Sequence, residues 1–390
     1  MSSTKNLRKR VLILGGYGTF GSRIAEMLGS ESNLHVIVAG HDLFKAELLA
    51  DRLQQQHSET DTKSRCTFEG LRLDHESASL TVQLKDLDLD LLIHCAGPFQ
   101  QQDYHVPDAC IANSIHYLDI ADAASFVSEI ETLNQSAEDA GCTVISGASS
   151  LPALSSAVIQ VLGKPFHKID DIEINIAPAH RISRGLATVR AGFESLGTEL
   201  TLLRDGQPVP SYSGGELRKI TLGHPVGERQ VCNFDVPDLR LIPKLIPEVK
   251  NLRFGTGVQP TLLQWGLALS ARLARIHRPS TIPDPLPYLA RLGHWLAARW
   301  PGGSDHGGMQ VEITGIAGGA GQRARWQILG LNGDGPWIPA APAAAMARKL
   351  VRGEYSNHGA RPCWQLLSLE EILRELEAYS VVTSVEAPGA

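Results

Sequence analysis

Val11-Leu12-Ile13-Leu14-Gly15-Gly16-Tyr17-Gly18-Thr19-Phe20-Gly21 is the stretch that decides the fold class. Its first four residues are an unbroken apolar run with two β-branched members, as expected of a strand buried on both faces of a parallel sheet. Gly16 to Gly21 then reads Gly-x-Gly-x-x-Gly, a pattern that informs only when it joins a strand to a helix. Ile24, Ala25 and Leu28 supply that helix with an inner stripe. In this setting Gly16 permits the tight turn, Gly18 lets backbone amides approach a pyrophosphate, and Gly21 lets helix and strand pack closely. Tyr17, Thr19 and Phe20 complete the cradle. The helix start adds orphan N–H groups and a partial positive charge for an anion. The expected ligand is a dinucleotide.

Further apolar runs at Val36–Ala39, Leu91–Cys95 and Thr143–Ile145 repeat the strand signature. A helical pattern from Leu43 to Leu53 lies between two of them, with Asp42 placed to cap it. Repeated βα units imply an α/β fold: a Rossmann-type, doubly wound parallel sheet covered by helices on both faces. Beyond Leu151 the texture becomes antiparallel, at Asp171–Ile176, Gln310–Thr314 and Arg325–Leu329. A hairpin turn is expected at Arg204–Gln207, and helices at Thr261–His277, Leu286–Trp300, Ala340–Arg352 and Leu369–Tyr379. The expected domains are 1–150, completed by 336–390, and an α+β substrate or dimerisation domain over 151–335.

The nucleotide is selected near the end of the second strand, Val38-Ala39-Gly40-His41-Asp42. An acidic side chain there would hold the ribose hydroxyls of NAD, whereas NADP needs that charge removed and a cation supplied. Ala39 and Gly40 occupy the acidic position, and His41 with Lys45 faces a 2′-phosphate, so NADP is expected ahead of NAD.

Bulk properties limit the alternatives. A net charge of -6 over 390 residues argues against nucleic acid as a partner. Six cysteines show neither Cys-x-x-Cys nor metal-ligand spacing with histidine, so no metal site and a reducing, cytoplasmic setting are expected. The basic group Lys5, Arg8, Lys9 and Arg10 precedes too short an apolar run for a signal peptide and reads as a solvated lead-in. Thr261 to Ala271 is too short to span a membrane.

The residues together resemble the saccharopine-dehydrogenase-like oxidoreductases, and Ala177-Pro178-Ala179-His180-Arg181 with Arg184-Gly185-Leu186-Ala187-Thr188-Val189 resemble one bacterial branch of them. The resemblance rests on the glycine turn with Val38-Ala39-Gly40-His41, on Cys95-Ala96-Gly97-Pro98-Phe99, and on Asp108-Ala109-Cys110 followed by His116-Tyr117-Leu118-Asp119. Gly147-Ala148-Ser149-Ser150-Leu151-Pro152-Ala153-Leu154-Ser155-Ser156 completes it. Where the family often has Gly-Glu, this chain has Ala121-Asp122. The resemblance implies an NAD(P)-dependent enzyme whose cofactor lies across the strand C-termini. It also implies that Ala96, Gly97, Pro98 and Phe99 line the path from adenosine to nicotinamide, with Asp74 near the adenine end. Relatives reduce imines derived from amino acids or carbon–carbon double bonds of lipid-like substrates.

Hydride transfer also needs a group that moves a proton. Tyr117, Asp119 and Asp122 are read as following the fifth strand, at the crevice outside the sheet, which makes Tyr117 or Asp122 the candidate. The structural alternative has Tyr117 packed against the sheet and Asp122 capping the next helix. His180, Arg181 and Arg184 follow a strand, and Arg184 opens a helical run from Leu186 to Leu196. They suit a substrate carboxylate, or else an interdomain ion pair. His306, in the loop Ser304-Asp305-His306, is a further acid–base candidate.

Leu289, Leu292, Leu296 and Trp300, with Trp265, Trp295 and nearby arginines, read as core or as a homodimer contact. A greasy tunnel or a peripheral membrane contact is the alternative. The expected activity is hydride delivery from NADPH to an imine or activated double bond of a small, carboxylate-bearing metabolite. The rivals are an enoyl-reductase-type enzyme for lipid-like substrates, a non-catalytic NADP-binding sensor or scaffold, and a lyase or epimerase that retains its nicotinamide.

Overall fold

The computed structural model describes residues 8–57, 66–181, 195–276 and 303–389. The chain divides into two compact units, one formed by Met1–Leu154 with Pro339–Glu375 and the other by Ser155–Ile338 with Leu376–Ala390.

The first unit begins β1 (Lys9–Leu14), α1 (Gly21–Leu28), β2 (Leu34–Gly40), α2 (Leu43–Gln56), β3 (Thr67–Arg72), α3 (Leu80–Lys85) and β4 (Leu91–His94). It continues α4 (His105–Ile111), β5 (His116–Asp119), α5 (Ala124–Ser128), α6 (Asn134–Asp139) and β6 (Thr143–Ser146). All its strand pairs are parallel, in the order β3-β2-β1-β4-β5-β6 with a C-terminal strand beyond β6. The order reverses between β1 and β4, which opens a crevice at the carboxyl ends of those two strands. Leu12, Leu14, Ile37, Leu92, Tyr117 and Val144 all belong to the core on one side of the sheet.

The second unit holds α7 (Ser155–Gly163), β7 (Phe166–Ala177), β8 (Glu199–Arg204), β9 (Gln207–Tyr212), β10 (Arg218–Leu222), β11 (Gly227–Asn233) and α8 (Pro237–Leu245). Then come β12 (Asn251–Thr256), α9 (Thr261–Ile276), β13 (Gly307–Ala317) and β14 (Ala320–Gly330). The hairpin expected at Arg204–Gln207 joins β8 to β9, with Asp205 and Gly206 both at positive φ, as a two-residue turn requires. The sheet is mixed, not purely antiparallel: β7 pairs antiparallel with β13 but parallel with β12. The runs expected as helices over 186–196 and 286–300 fall, apart from residues 195 and 196, outside the described residues, as do Trp295 and Trp300.

The C-terminal stretch serves both units. The first unit takes α10 (Ala341–Val351), β15 (Gly359–Pro362, parallel to β6) and α11 (Leu369–Arg374). The second takes β16 (Val381–Glu386), antiparallel to β14. The helix expected to reach Tyr379 therefore stops at Arg374, and a strand follows that the helical reading had not included. Ser368 and Glu371 form a reciprocal capping box at the start of α11.

Arg348 fastens α10 to the end of α1. It reaches Glu31 at 2.7 Å and Glu375 at 2.8 Å, and these side chains are 13%, 10% and 12% exposed. Burial pushes the Glu31 carboxyl up, but hydrogen bonds from Arg352 and Arg348 outweigh it and hold the group below the usual carboxylate range. Removing one partner of such a network strands a buried charge. Arg348→Met should therefore cost ~3–5 kcal/mol of unfolding free energy. Urea denaturation should show a lower midpoint at unchanged slope, and an unmoved midpoint would contradict this role.

Candidate functional site

The turn after β1 is built by backbone contact. Gly15 and Gly16 both donate their N–H to the Ala39 carbonyl, at 2.8 and 3.0 Å, which fastens the turn to β2. Gly15 has φ +75°, and a methyl there would lie 2.8 Å from the Ala96 nitrogen, in the loop leaving β4. A methyl on Gly21 would lie 2.8 Å from the Gly16 Cα, so only glycine lets α1 start this close to β1. No side chain caps α1, and its first turn holds no acid. The helix start thus meets the crevice with its amides free of side-chain acceptors. This cradle fits a pyrophosphate.

The rim beside it is set by Tyr17. A Cβ on Gly40 would come within 2.5 Å of the Tyr17 ring, and the Tyr17 hydroxyl accepts from the Asp42 N–H at 3.0 Å. No acidic side chain can therefore occupy position 40 while Tyr17 lies there. Asp42 is committed to α2, accepting from the Lys45 N–H at 3.2 Å. That bond chiefly, with the Lys45 ammonium, holds its carboxyl below the usual range. His41 is exposed, with Nδ1 3.6 Å from Asp74 Oδ1.

Arg72 was not among the residues picked from sequence. Its position pairs with Gly40 in the sheet register, and it is exposed. It shares a strand face with Gly70, where a methyl would lie 2.7 Å from the Ala46 carbonyl carbon of α2. The cation therefore stands on the α2 side of the rim that carries His41.

At the carboxyl ends of β4 and β5 the structure separates buried groups from accessible ones. Tyr117 lies within β5, not after it, and is fully buried. Its hydroxyl hydrogen-bonds His94 Nδ1 at 3.1 Å. Tyr117 is a core residue, which corrects its reading as a proton donor. Burial drives His94 down to about 3, so its ring is neutral at ordinary pH. Phe99 is buried too, edge-on to His94 at 4.9 Å and beside Phe126 at 5.4 Å. Ala96, Gly97 and Pro98 are half-buried. Asp122 is exposed and accepts from Gln100 Nε2 at 3.1 Å. It does not cap the next helix, whose N-cap is Ala123.

The second unit gathers a different polar group. His180 and Arg181 donate their N–H to the Ser304 carbonyl at 2.8 and 3.2 Å, so two loops distant in sequence meet where β7 pairs with β13. His306 lies in the same loop, its ring accepting from the Asn332 N–H at 3.1 Å and lying 3.4 Å from Asp305. Arg184 lies outside the described residues. Elsewhere in this unit a fully buried Asp238 accepts from the buried Ser155 hydroxyl, and burial raises its carboxyl to about 7.

Residues 11–145 match the family model described as the saccharopine dehydrogenase NADP binding domain. No curated protein sequence matches the chain. Apo saccharopine dehydrogenase (L-Glu forming) from Saccharomyces cerevisiae is similar in structure, with TM-score 0.63 and 15% identity over 97% of this chain and 100% of its own. That likeness shows a shared fold. Amine dehydrogenase from Mycobacterium smegmatis gives TM-score 0.46 at 10% identity, covering 93% of this chain and 95% of its own. An engineered D-amino acid dehydrogenase gives 0.44 at 14%, covering 95% and 99%. Among the described residues no helix is long and apolar enough to cross a membrane.

Asp119, fully buried at the end of β5, yields a prediction about pH. It accepts from the Gly147 N–H at 2.7 Å, the Ala121 N–H at 2.9 Å and the Ser146 hydroxyl at 3.0 Å. Burial raises its carboxyl to about 6, although these donors pull it back. A raised carboxyl means the folded chain keeps the proton longer than the unfolded one. Asp119 therefore favours the fold below the unfolded pKa of about 4 and loses that contribution as pH rises through about 6. Between about pH 4 and pH 7 the wild type should lose ~3 kcal/mol relative to Asp119→Asn, measured by urea unfolding. A pH-independent difference would contradict the raised value.

Proposed function

We propose that this chain, a saccharopine-dehydrogenase-like NAD(P) oxidoreductase, uses NADPH to reduce an imine or an activated double bond of a small, carboxylate-bearing metabolite. The observation that carries the NADP reading is the rim beside the glycine turn. Tyr17 excludes an acid from position 40, Asp42 is engaged in capping, and the His41 imidazole and the Arg72 guanidinium stand at adjacent strand ends.

Bound NADPH supplies the hydride, and the protein's part is to hold and orient it. Backbone amides of Tyr17, Thr19 and Phe20, at the start of α1, hold the pyrophosphate, while those of Gly16 and Gly18 brace the turn against Ala39 and Gly15. His41 and Arg72 hold the 2′-phosphate, and the half-buried Ala96, Gly97 and Pro98 border the way to the nicotinamide. Asp122 is assigned the proton, because it is exposed near the end of β5 and steadied by Gln100. His180 and Arg181, with Arg184, are assigned the substrate's acid group. Six unpaired thiols are consistent with a reducing compartment such as the cytoplasm.

One observation favours a second reading. Leu262, Trp265, Leu269 and Leu273 form an exposed stripe along α9, between 51% and 65% accessible. Such a stripe suits a lipid-like substrate, or the face of a second copy in a homodimer. A rate that rises with substrate chain length would favour the lipid reading, and a monomer–dimer shift with Trp265→Asp would favour the dimer.

Titration of the chain with NADPH and NADH tests the cofactor assignment. NADPH should bind more tightly, and His41→Ala and Arg72→Ala should each weaken it about tenfold, roughly 1.4 kcal/mol, with NADH little changed. Equal loss for both nucleotides would remove these residues from 2′-phosphate recognition. In turnover, Arg181→Ala should raise KM for a carboxylate-bearing substrate by about ten- to a hundredfold. Asp122→Asn should lower kcat by about a hundredfold with NADPH affinity unchanged. Wild-type kcat in Asp122→Asn would refute its assignment.

A further inference from the structure

We propose that His41, Asp74 and His75 form a three-ligand surface site for a divalent transition ion of the zinc class, at the carboxyl ends of β2 and β3. The site shares His41 with the nucleotide reading but does not depend on it.

Topology places the three side chains together. β2 and β3 are parallel neighbours whose last paired residues are Gly40 and Arg72. His41 is the first residue beyond β2, and Asp74 and His75 lie just beyond β3. The Leu73 N–H donates to the Gly40 carbonyl at 3.0 Å, which clamps the two strand exits to each other. One donor atom from each side chain lies within 4.8 Å of the other two, and His41 Nδ1 is already 3.6 Å from Asp74 Oδ1. Zinc–ligand bonds of about 2.0–2.2 Å put tetrahedral donors ~3.3 Å apart. The remaining adjustment is within reach of side-chain rotation, because His41 and Asp74 are 61% and 53% exposed.

The loop is held where the ligands need it. Asp74 Oδ1 accepts from the Glu76 N–H at 3.0 Å. The His105 ring hydrogen-bonds the Ser77 carbonyl at 3.1 Å. The His75 ring lies between two other imidazoles, 5.6 Å from His41 and 5.8 Å from His94. An ordinary surface ion pair explains His41 with Asp74, but not the convergence of a second imidazole on the same point.

The donor set selects the ion. Two imidazole nitrogens and one carboxylate oxygen suit zinc, copper or nickel. Calcium and magnesium call for oxygen ligands and more of them. Three protein ligands leave a fourth position open to water or an outside anion.

The test is titration of the chelator-treated full chain with Zn²⁺ by calorimetry and with Co²⁺ by absorption. One ion per chain is expected, with His41→Ala, His75→Ala and Asp74→Asn each weakening it at least about tenfold. The Co²⁺ spectrum should be tetrahedral, without the charge-transfer band of thiolate ligation. His35→Ala should leave affinity unchanged, since that ring is engaged by Thr67 and Glu69. His41 stands in an exposed loop, so its variant keeps the test independent of folding. Absence of binding, affinity within about twofold of wild type in both histidine variants, or a thiolate band would each overturn the site.

Discussion

The close approach of α1 to β1 is the constraint on which the first unit depends. A methyl on Gly21 would lie 2.8 Å from the Gly16 Cα, and one on Gly15 would lie 2.8 Å from the Ala96 nitrogen. Because both positions carry only hydrogen, the turn folds flat against β4 and the helix begins directly above the reversal in strand order. Its uncapped N-terminus then faces the crevice with amides and partial positive charge. The rim follows from the same geometry: Tyr17, carried by the turn, reaches across Gly40 and fixes what can stand at the end of β2.

Beneath the crevice the sheet buries polar groups instead of an all-apolar layer. Asp119 gathers three donors from the ends of β5 and β6, and His94 pairs with Tyr117 while its other ring nitrogen lacks a protein partner. Buried groups of this kind are costly unless hydrogen-bonded, so they specify one arrangement of the strand ends. Arg348 acts similarly at the far end of α1, tying the returning α10 to Glu31 and Ser30. The crevice is thus held by glycine contact above and by the hydrogen bonds of Asp119 Oδ1 and of His94 with Tyr117 below.

The legible parts of the fold were those whose local pattern matches their burial. β1, β2, β4 and β6 are continuous apolar runs because helices cover both faces, and Asp42 announces α2 as a cap. β3 is an edge strand, Thr67-Phe68-Glu69-Gly70-Leu71-Arg72, without such a run, and Arg72 went unseen with it. β16 is almost wholly exposed and follows a helix, so nothing local marks its pairing with β14. Tyr117 looked accessible because the sequence reading put it beyond the fifth strand, whereas β5 runs from His116 to Asp119 and holds it inside the sheet. His180 and Ser304 meet only through the β7–β13 ladder, a non-local pairing no motif encodes. The glycine cradle was readable because its chemistry is local; the second unit's polar cluster was not, because it is assembled by the sheet.

A crystal structure of the chain with NADP⁺ bound tests the central claim most directly. The pyrophosphate should lie against Gly16 to Phe20 at the start of α1, with the 2′-phosphate beside His41 and Arg72. A nucleotide bound away from the glycine turn, or a 2′-phosphate with neither of these side chains near it, would contradict the account.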